Sequence, residues 1–178
     1  MSTVRLHDKE FESWLEPEAI DRIVTDLGDR LRPMYIDKYP VLLVVLKGAF
    51  IFAADLVRKL DLPLEIDFVK VSSYEGTGSS GRIEEQLHWQ VPLAGRHVLI
   101  VEDIVDQGHT LDYLRKAIGK EDPASVAVAC FLFKPEAYGY PEPVEFFGVE
   151  IPNDFVVGYG LDYDQRGRYL GGLYRLRP

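Results

Sequence analysis

Apolar positions along the chain form two kinds of pattern, apolar runs and runs with helical spacing. The apolar runs predict strands that are buried on both faces of a sheet. They occupy residues 41–46, 98–101 and 124–133, and residues 64–71, where apolar and charged residues are interspersed, are predicted to form another strand. Apolar residues three or four positions apart predict amphipathic helices, which bury one face against the core. These helices are marked by Ile20, Ile23, Val24, Leu27 and Leu31, by Phe50, Ala53, Ala54 and Val57, and by Leu111, Leu114 and Ile118.

The alternation of strands and helices predicts an α/β fold, with a mostly parallel sheet that carries helices on both faces. Ligands of such sheets bind at the carboxyl ends of the strands, so the residues just after each strand are the candidate functional ones. The length of 178 residues predicts a single domain, residues 1–178. Proline and glycine concentrate after residue 134, and residues from about 135 to 178 are expected to form a small hood subdomain.

Composition narrows the possible partners. The net charge of −9 argues against nucleic acid, which normally needs a basic face. If the ligand is itself a polyphosphate, this acidity indicates that Mg2+ mediates the contact. Cys130 is the only cysteine and lies in an apolar run, so it is interpreted as a core residue. The sequence shows neither a signal peptide nor an apolar run of membrane-spanning length, and we expect a cytoplasmic protein that binds no membrane.

Residues 98–111 carry the most information about function. An apolar strand ends in two adjacent carboxylates, Glu102 and Asp103, and a turn around Gly108 leads into a helix. Such a loop directs backbone N–H groups and the positive end of the helix at one point, where a phosphate can bind. Since carboxylates repel phosphate, the acidic pair is expected to bind hydroxyl groups or a divalent cation, and a sugar phosphate satisfies both demands. The alternative is a core strand after which Asp106 only caps the helix.

The order Val-Glu-Asp-Ile-Val-Asp-x-Gly-x-Thr at residues 101–110 resembles the phosphoribosyl pyrophosphate signature of the type I phosphoribosyltransferases, and among them the hypoxanthine-guanine branch. The resemblance implies that Glu102 and Asp103 hold the ribose hydroxyls and Mg2+. It also implies that Asp106, near the purine N7, is the catalytic general base. The 5'-phosphate would be bound by the backbone of Asp106, Gln107, Gly108, His109 and Thr110 and by the Thr110 hydroxyl. Gln107 stands where the family usually has a small hydroxyl residue.

The first apolar strand is followed by a lysine and a glycine, in the order Leu46-Lys47-Gly48. From the residues alone, Lys47 could end the strand by reaching solvent while Gly48 makes the turn. The resemblance implies instead a pyrophosphate-binding loop formed by Leu46, Lys47 and Gly48. In the family this loop has a non-proline cis peptide before the lysine, which turns N–H groups toward the leaving pyrophosphate.

Residues 72–82 are rich in glycine and serine, which is typical of a mobile connection between two strands. The following apolar residues, at positions 83, 87, 89 and 91, alternate as in a strand. The resemblance implies that this loop is a lid, with the pair Ser73 and Tyr74 closing over the reacting sugar and excluding water.

Lys134 follows the apolar strand that contains Cys130 and precedes a proline. A lysine at the end of a strand often only extends its ammonium group to solvent. In the family, a lysine at this place donates a hydrogen bond to the purine O6 and so selects 6-oxopurines.

Residues 154–163 are similar to the hood segment of the family. The resemblance implies that Phe155 stacks on the purine, that the Val156 backbone faces its 2-position, and that Asp162 lies near the base and a second Mg2+. It also implies that Arg168 contacts pyrophosphate. The alternative interpretation of the aromatic residues is a strand at the edge of the core.

The resemblance therefore implies an enzyme that moves the 5-phosphoribosyl group from phosphoribosyl pyrophosphate to hypoxanthine or guanine, with Mg2+ as cofactor. A homodimer or homotetramer is expected. One alternative is a sister enzyme that uses xanthine, adenine or orotate. Another is a nucleotide-sensing regulator that keeps the fold and binds RNA or DNA, against which the net charge of −9 argues.

Overall fold

The computed structural model describes residues 2–73 and 83–177, which form two sheets and three helices. In chain order the elements are β1 (Thr3–Leu6), β2 (Lys9–Leu15), α1 (Pro17–Tyr35), β3 (Val41–Val45), α2 (Phe50–Leu60), β4 (Glu65–Ser73), β5 (Ile83–Leu87), β6 (His97–Val105), α3 (His109–Gly119), β7 (Ser125–Phe133), β8 (Phe146–Glu150), β9 (Val156–Val157) and β10 (Leu173–Leu176).

The larger sheet has the strand order β5-β4-β3-β6-β7-β8. Strands β4, β3, β6, β7 and β8 pair in parallel, and the edge strand β5 is antiparallel to β4. Side chains alternate along β6: Leu99 and Val101 pack in the cluster under α1 and α2, whereas Val98 and Ile100 pack in the cluster under α3. The predicted α/β fold, with a mostly parallel sheet covered on both faces, is confirmed.

The strand order reverses next to β3. From β3 the chain passes through α2 to β4 on one side, while β6 lies on the other side of β3. Where connections leave two adjacent parallel strands in opposite directions, a crevice forms at the carboxyl ends of those strands. The loops after Val45 of β3 and after Val105 of β6 border this crevice.

The largest differences in extent from the prediction concern two strands, β6 and β5. Strand β6 continues through the acidic pair to Val105, because β7 keeps pairing with it, with Glu102 opposite Cys130. The strand predicted from residue 83 to 91 ends at Leu87. Trp89 beyond it is buried, and its indole N–H donates to Glu121 Oε1 at 2.9 Å.

The smaller sheet, with the order β1-β2-β10-β9, combines both ends of the chain. We predicted a hood in residues from about 135 to 178, but β8 of that range belongs to the larger sheet, and the N-terminal strands β1 and β2 belong to the smaller one. Phe11 of β2 is fully buried there beside Leu6 and Val157. The smaller sheet thus depends on the N-terminal strands β1 and β2, which the hydrophobic pattern of the sequence did not predict to be part of it.

Cys130 is buried on β7, which confirms its interpretation as a core residue. Among residues 2–73 and 83–177, none of the helices combines the length and the apolar character needed to span a bilayer.

Candidate active site

The acidic pair lies within β6 at the edge of the crevice. Glu102 is only 8% exposed, and its Oε2 is buried without a hydrogen-bond partner. Burial, followed by the neighbouring Asp103 carboxylate, raises the pKa of Glu102 well above its usual range. Burial also raises the pKa of Asp103, although Arg168 and nearby hydrogen bonds act in the opposite direction. Two carboxylates are thus held close together in a place where their charges are poorly compensated.

The loop after β3 packs directly against this pair. An added Cβ at Gly48 would lie 1.5 Å from Asp103 Oδ2, so only glycine permits this approach. On the other side of Gly48, Gly160 has a φ of +100°, and a Cβ there would lie 2.2 Å from the Gly48 carbonyl oxygen. The peptide bond between Leu46 and Lys47 is cis, as the resemblance implies. The Lys47 ammonium donates to Gln165 Oε1 at 3.3 Å, which places it beside the crevice.

The predicted phosphate loop joins β6 to α3. Gly108 is the N-cap of α3, and the helix begins at His109. The first amides of a helix have no carbonyl partner within it, so the N–H groups of His109 and Thr110 can bind an anion. The His109 ring lies 2.9 Å from Gln107 Oε1 and 2.8 Å from the Tyr140 hydroxyl. The His109 and Gln107 side chains therefore contact each other, while the backbone N–H groups at the start of α3 have no carbonyl partner within the helix.

The candidate base and the candidate purine-binding lysine form an ion pair. Lys134 continues the β6-β7 pairing, since its N–H donates to the Val105 carbonyl at 2.9 Å. Its ammonium, with the side chain 9% exposed, donates to Asp106 Oδ2 at 2.8 Å and to Asn153 Oδ1 at 3.2 Å. Asp106 is about half exposed, which leaves it accessible to a ligand.

The hood segment, residues 154–163, faces these strand ends. Phe155 is 43% exposed and lies edge-on to Tyr163, with ring centroids 5.8 Å apart. Val156 lies on the two-residue strand β9. Asp162 accepts the Gln165 N–H at 2.7 Å and pairs with Arg168 at 2.6 Å. The Arg168 guanidinium also donates to the Gly160 carbonyl at 2.7 Å, so it is held in one orientation.

A cavity of about 280 Å³ lies between the strand ends and the hood segment. It is lined by Asp103, Ile104, Asp106, Lys134, Asp154, Phe155, Val156, Leu161 and Asp162. Its wall therefore combines an apolar surface, an aromatic ring and a buried cation, which is the composition of a site for a flat polar ligand.

The structure thus brings together predicted residues from three separate motifs around one cavity, while Lys47, Gly48 and Arg168 lie beside Asp103 and Asp162. The predicted lid, Ser73 and Tyr74, lies outside the described residues apart from the backbone of Ser73 at the end of β4. Sequence reasoning missed Asn153, Asp154 and Leu161. Asp154 and Leu161 fall inside the motif that was noticed for its aromatic residues, but Asn153 follows a short strand that was not predicted.

A divalent cation fits the acidic pair. It would give Glu102 Oε2 its missing partner, and carboxylate oxygens are the ligands that Mg2+ prefers. Within the two described ranges, no group of three or more acidic, histidine or cysteine side chains could hold a metal. A cation bound to Glu102 or Asp103 would therefore complete its coordination with ligand oxygens and water, as Mg2+ commonly does.

Comparison with known proteins decides the family. A model of the phosphoribosyl transferase domain matches residues 15–164, most of the chain. The chain belongs to the phosphoribosyltransferase family. The resemblance inferred from the motif at residues 101–110 is thereby confirmed.

Individual phosphoribosyltransferases are similar over nearly the whole chain. The hypoxanthine phosphoribosyltransferase of Haemophilus influenzae is 44% identical over 155 residues, which cover 83% of this chain and 85% of that protein. The hypoxanthine-guanine phosphoribosyltransferase of Bacillus subtilis is 40% identical over 165 residues, 92% of each chain. A crystal structure of a hypoxanthine-guanine phosphoribosyltransferase from Bacillus anthracis has a TM-score of 0.88 at 30% identity and covers 94% of this chain and 97% of that one.

Proposed function

We propose that this phosphoribosyltransferase serves purine salvage, by transferring the 5-phosphoribosyl group of phosphoribosyl pyrophosphate to hypoxanthine or guanine. The products would be IMP or GMP and pyrophosphate. The observation that carries the choice of base is the buried Lys134 ammonium on the cavity wall. An ammonium group can only donate hydrogen bonds, so it favours the O6 acceptor of a 6-oxopurine over the 6-amino group of adenine.

In the proposed reaction, the bond between C1 of the ribose and pyrophosphate breaks ahead of attack by the purine nitrogen. Positive charge then develops on the sugar and negative charge on pyrophosphate. Arg168 and the backbone N–H groups around Lys47 would stabilise the negative charge. The Arg168 guanidinium is held in place for this by the Gly160 carbonyl and the Asp162 carboxylate. Asp106 would accept the proton from N7 of the purine.

The sugar phosphate would be held at the carboxyl ends of β3 and β6. Glu102 and Asp103 would bind the ribose hydroxyls, and the amides of residues 106–110 would bind the 5'-phosphate, with the Thr110 hydroxyl. Mg2+, when bound at the acidic pair, would neutralise charge on the pyrophosphate oxygens. Phe155 would stack on the purine and the Val156 backbone would face its 2-position. Asp162 would approach a second Mg2+.

A direct test is a Mg2+-dependent assay of phosphoribosyl pyrophosphate with hypoxanthine, guanine, xanthine and adenine. Hypoxanthine and guanine should be converted, and adenine should not, because a mismatched buried donor typically costs about 1 to 3 kcal/mol. Lys134→Ala should raise KM for the purine more than KM for phosphoribosyl pyrophosphate. Comparable turnover of adenine by the wild type would contradict the proposed function, and an equal loss of both affinities would make Lys134 a structural residue.

We further propose that the protein self-associates as a dimer or tetramer through the exposed side of β4. Ile66 and Phe68 are 42% and 41% exposed, although they lie in register with the buried Leu42 and Val44 of β3. Adjacent exposed apolar side chains are typical of an interaction surface. Light scattering should then report a multimer for the wild type and a smaller species for Phe68→Glu. A wild-type monomer at assay concentrations would contradict this proposal.

We also propose that the whole chain acts as one domain in the cytoplasm. The cavity wall draws on the larger sheet and the hood segment, which fits a single functional unit. The proposed substrate, phosphoribosyl pyrophosphate, is a polyanion that a membrane retains in the compartment where it is made.

A further inference from the structure

Three adjacent parallel strands each place one polar residue around the same ammonium group. Asp106 directly follows β6, Lys134 directly follows β7, and Asn153 follows β8 by three residues. Since β6, β7 and β8 are neighbours in the larger sheet, their carboxyl ends bring these residues together. Asn153 is exposed and is absent from the cavity wall described above, so it would act on a ligand only through Lys134.

The contacts of Lys134 leave one donor for a ligand. An ammonium group has three N–H donors. One is directed at Asp106 Oδ2 at 2.8 Å and a second at Asn153 Oδ1 at 3.2 Å. With Asp106 alone, the flexible lysine stem would let the ammonium group turn about a single ion pair. Asn153 Oδ1, as the second acceptor, fixes the orientation of the ammonium group, so the third N–H points in a single direction.

The backbone around Asn153 is held on both sides. The Ile151 N–H donates to the Phe133 carbonyl at 2.8 Å, which ties the segment to the residue before Lys134. The Asp154 carboxylate pairs with Arg175 of β10 at 2.8 Å. Because residues on either side are anchored, the Asn153 backbone is held next to the end of β7, where its side-chain amide reaches the Lys134 ammonium.

Asn153 is also neutral, which matters for the partner on the other side of the lysine. A carboxylate at this place would add a second negative charge next to Asp106, whereas the amide oxygen accepts the hydrogen bond without a charge. We propose that Asn153 is a positioning residue for base recognition: together with Asp106 it orients the Lys134 ammonium so that its remaining N–H meets O6 of the purine. This inference rests on the proposed function.

The test compares steady-state constants of the wild type and Asn153→Ala with saturating Mg2+. KM for the purine should rise about fivefold to tenfold, the effect of losing one typical hydrogen bond, while KM for phosphoribosyl pyrophosphate and kcat change less than about twofold. Hypoxanthine and guanine should be affected by the same factor, because they share O6 and differ at the 2-position. Asn153→Asp keeps the acceptor oxygen for Lys134 and should hold KM for the purine within about threefold of the wild type, whereas the negative charge that it adds next to Asp106 should change kcat.

A double-mutant cycle tests whether Asn153 affects KM for the purine through Lys134. In a Lys134→Ala background, Asn153→Ala should change KM for the purine by less than about twofold, because the group that it orients is gone. Gln90→Ala serves as the control, since it removes an amide that bonds to the His88 and Trp89 carbonyls away from the cavity, and it should leave every constant unchanged.

The outcomes separate this inference from the proposed function. If the wild type converts hypoxanthine and guanine but Asn153→Ala has the same purine KM, the inference is wrong and the function stands. Additive effects in the cycle, unequal factors for the two purines, or an Asn153→Asp variant as poor as Asn153→Ala would each overturn it as well. If the wild type converts neither purine, the proposed function itself fails.

Discussion

The carboxyl edge of the larger sheet and the hood segment border the same cavity, but they are held in place in different ways. At the sheet edge, Asp103 lies within β6, and Lys134 continues the hydrogen-bond pattern between β6 and β7. In the hood segment, regular structure is limited to the two-residue strand β9 and to two isolated bridges, from Gly158 to Leu161 and from Tyr163 to Arg166. Side chains from the ends of the chain supply much of the remaining support for the hood segment.

These supporting side chains come from β2 and from β10, whose Arg175 pairs with Asp154 at 2.8 Å. Lys9 Nζ lies 4.8 Å from the centre of the Tyr163 ring and 5.6 Å from that of Phe155. The buried Phe11 ring lies 6.1 Å from both of those rings. In this arrangement the residues proposed for chemistry stand on a rigid sheet, and the aromatic residue proposed to stack on the purine stands on a segment held by side chains. Purine affinity should therefore be adjustable without loss of the chemical step.

The largest expected effect belongs to the sheet edge. Asp106→Asn keeps an oxygen that can accept the Lys134 hydrogen bond, but it removes the proposed proton acceptor. Loss of a general base commonly lowers the rate about 100-fold to 10,000-fold, and substrate affinities should change little. Single-turnover kinetics would measure this loss. Asp112→Asn is the control, because Asp112 pairs with Lys116 on α3, away from the cavity. An unchanged single-turnover rate would rule out Asp106 as the base.

Support of the hood segment can be separated from general stability with two buried phenylalanines. Phe11 and Phe52 are both fully buried, the first in the smaller sheet and the second in the core under α1 and α2. Phe11→Ala and Phe52→Ala should each lower the free energy of unfolding by about 3 to 5 kcal/mol in urea titrations. Only Phe11→Ala should also raise KM for the purine, because it removes a ring that supports Phe155.

If the Phe52 variant raised KM for the purine as much, the hood segment would not depend on a support of its own. Where an alanine variant does not fold, Phe11→Leu and Phe52→Leu give the same comparison with smaller cavities.

The difference between the sheet edge and the hood segment also determines how much of the site could be predicted from the sequence. Glu102, Asp103 and Lys134 were found because each lies at the end of an apolar run, and strand ends of a parallel sheet converge on one edge. The true end of β6 could not be predicted, since its last residues are kept in the strand by pairing with β7 and not by their own polarity. Lys9 and Phe11 could not be connected with Phe155, because no local pattern records contacts between opposite ends of a chain.

A smaller effect is expected on the stability of the ligand-free protein, from the buried carboxylate of Glu102. Burial raises its pKa above the usual 4.5, so the folded protein holds a proton that the unfolded chain releases. The resulting stabilisation is present below pH about 4.5 and is lost as the pH rises through the folded-state pKa. Near neutral pH, Glu102→Gln should therefore be more stable than the wild type by about 1 to 3 kcal/mol, the cost of an uncompensated buried polar group.

Urea titrations between pH 5 and 8, without Mg2+ or substrate, would measure this difference, because the stability of the wild type should fall as the pH rises above the usual pKa of a glutamate. The decline of stability with pH should be shallower in the variant, although the neighbouring Asp103, whose pKa is also raised, keeps part of it. Addition of Mg2+ should stabilise the wild type more than the variant. Equal pH dependence in the two proteins would mean that Glu102 is not the group concerned.

The smallest expected effect concerns Lys9, whose ammonium group lies over the two hood rings. Lys9→Met keeps most of the apolar stem and removes the charge. A cation–π contact at a partly exposed site contributes about 0.5 to 1 kcal/mol, so KM for the purine should rise roughly twofold to fivefold. KM for phosphoribosyl pyrophosphate and kcat should stay constant, because the sheet edge is unaffected. Lys116→Met, which removes a lysine charge on α3, is the matched control. Equal purine KM values in the two variants would show that Lys9 contributes only to the overall charge of the protein and not to the support of Phe155.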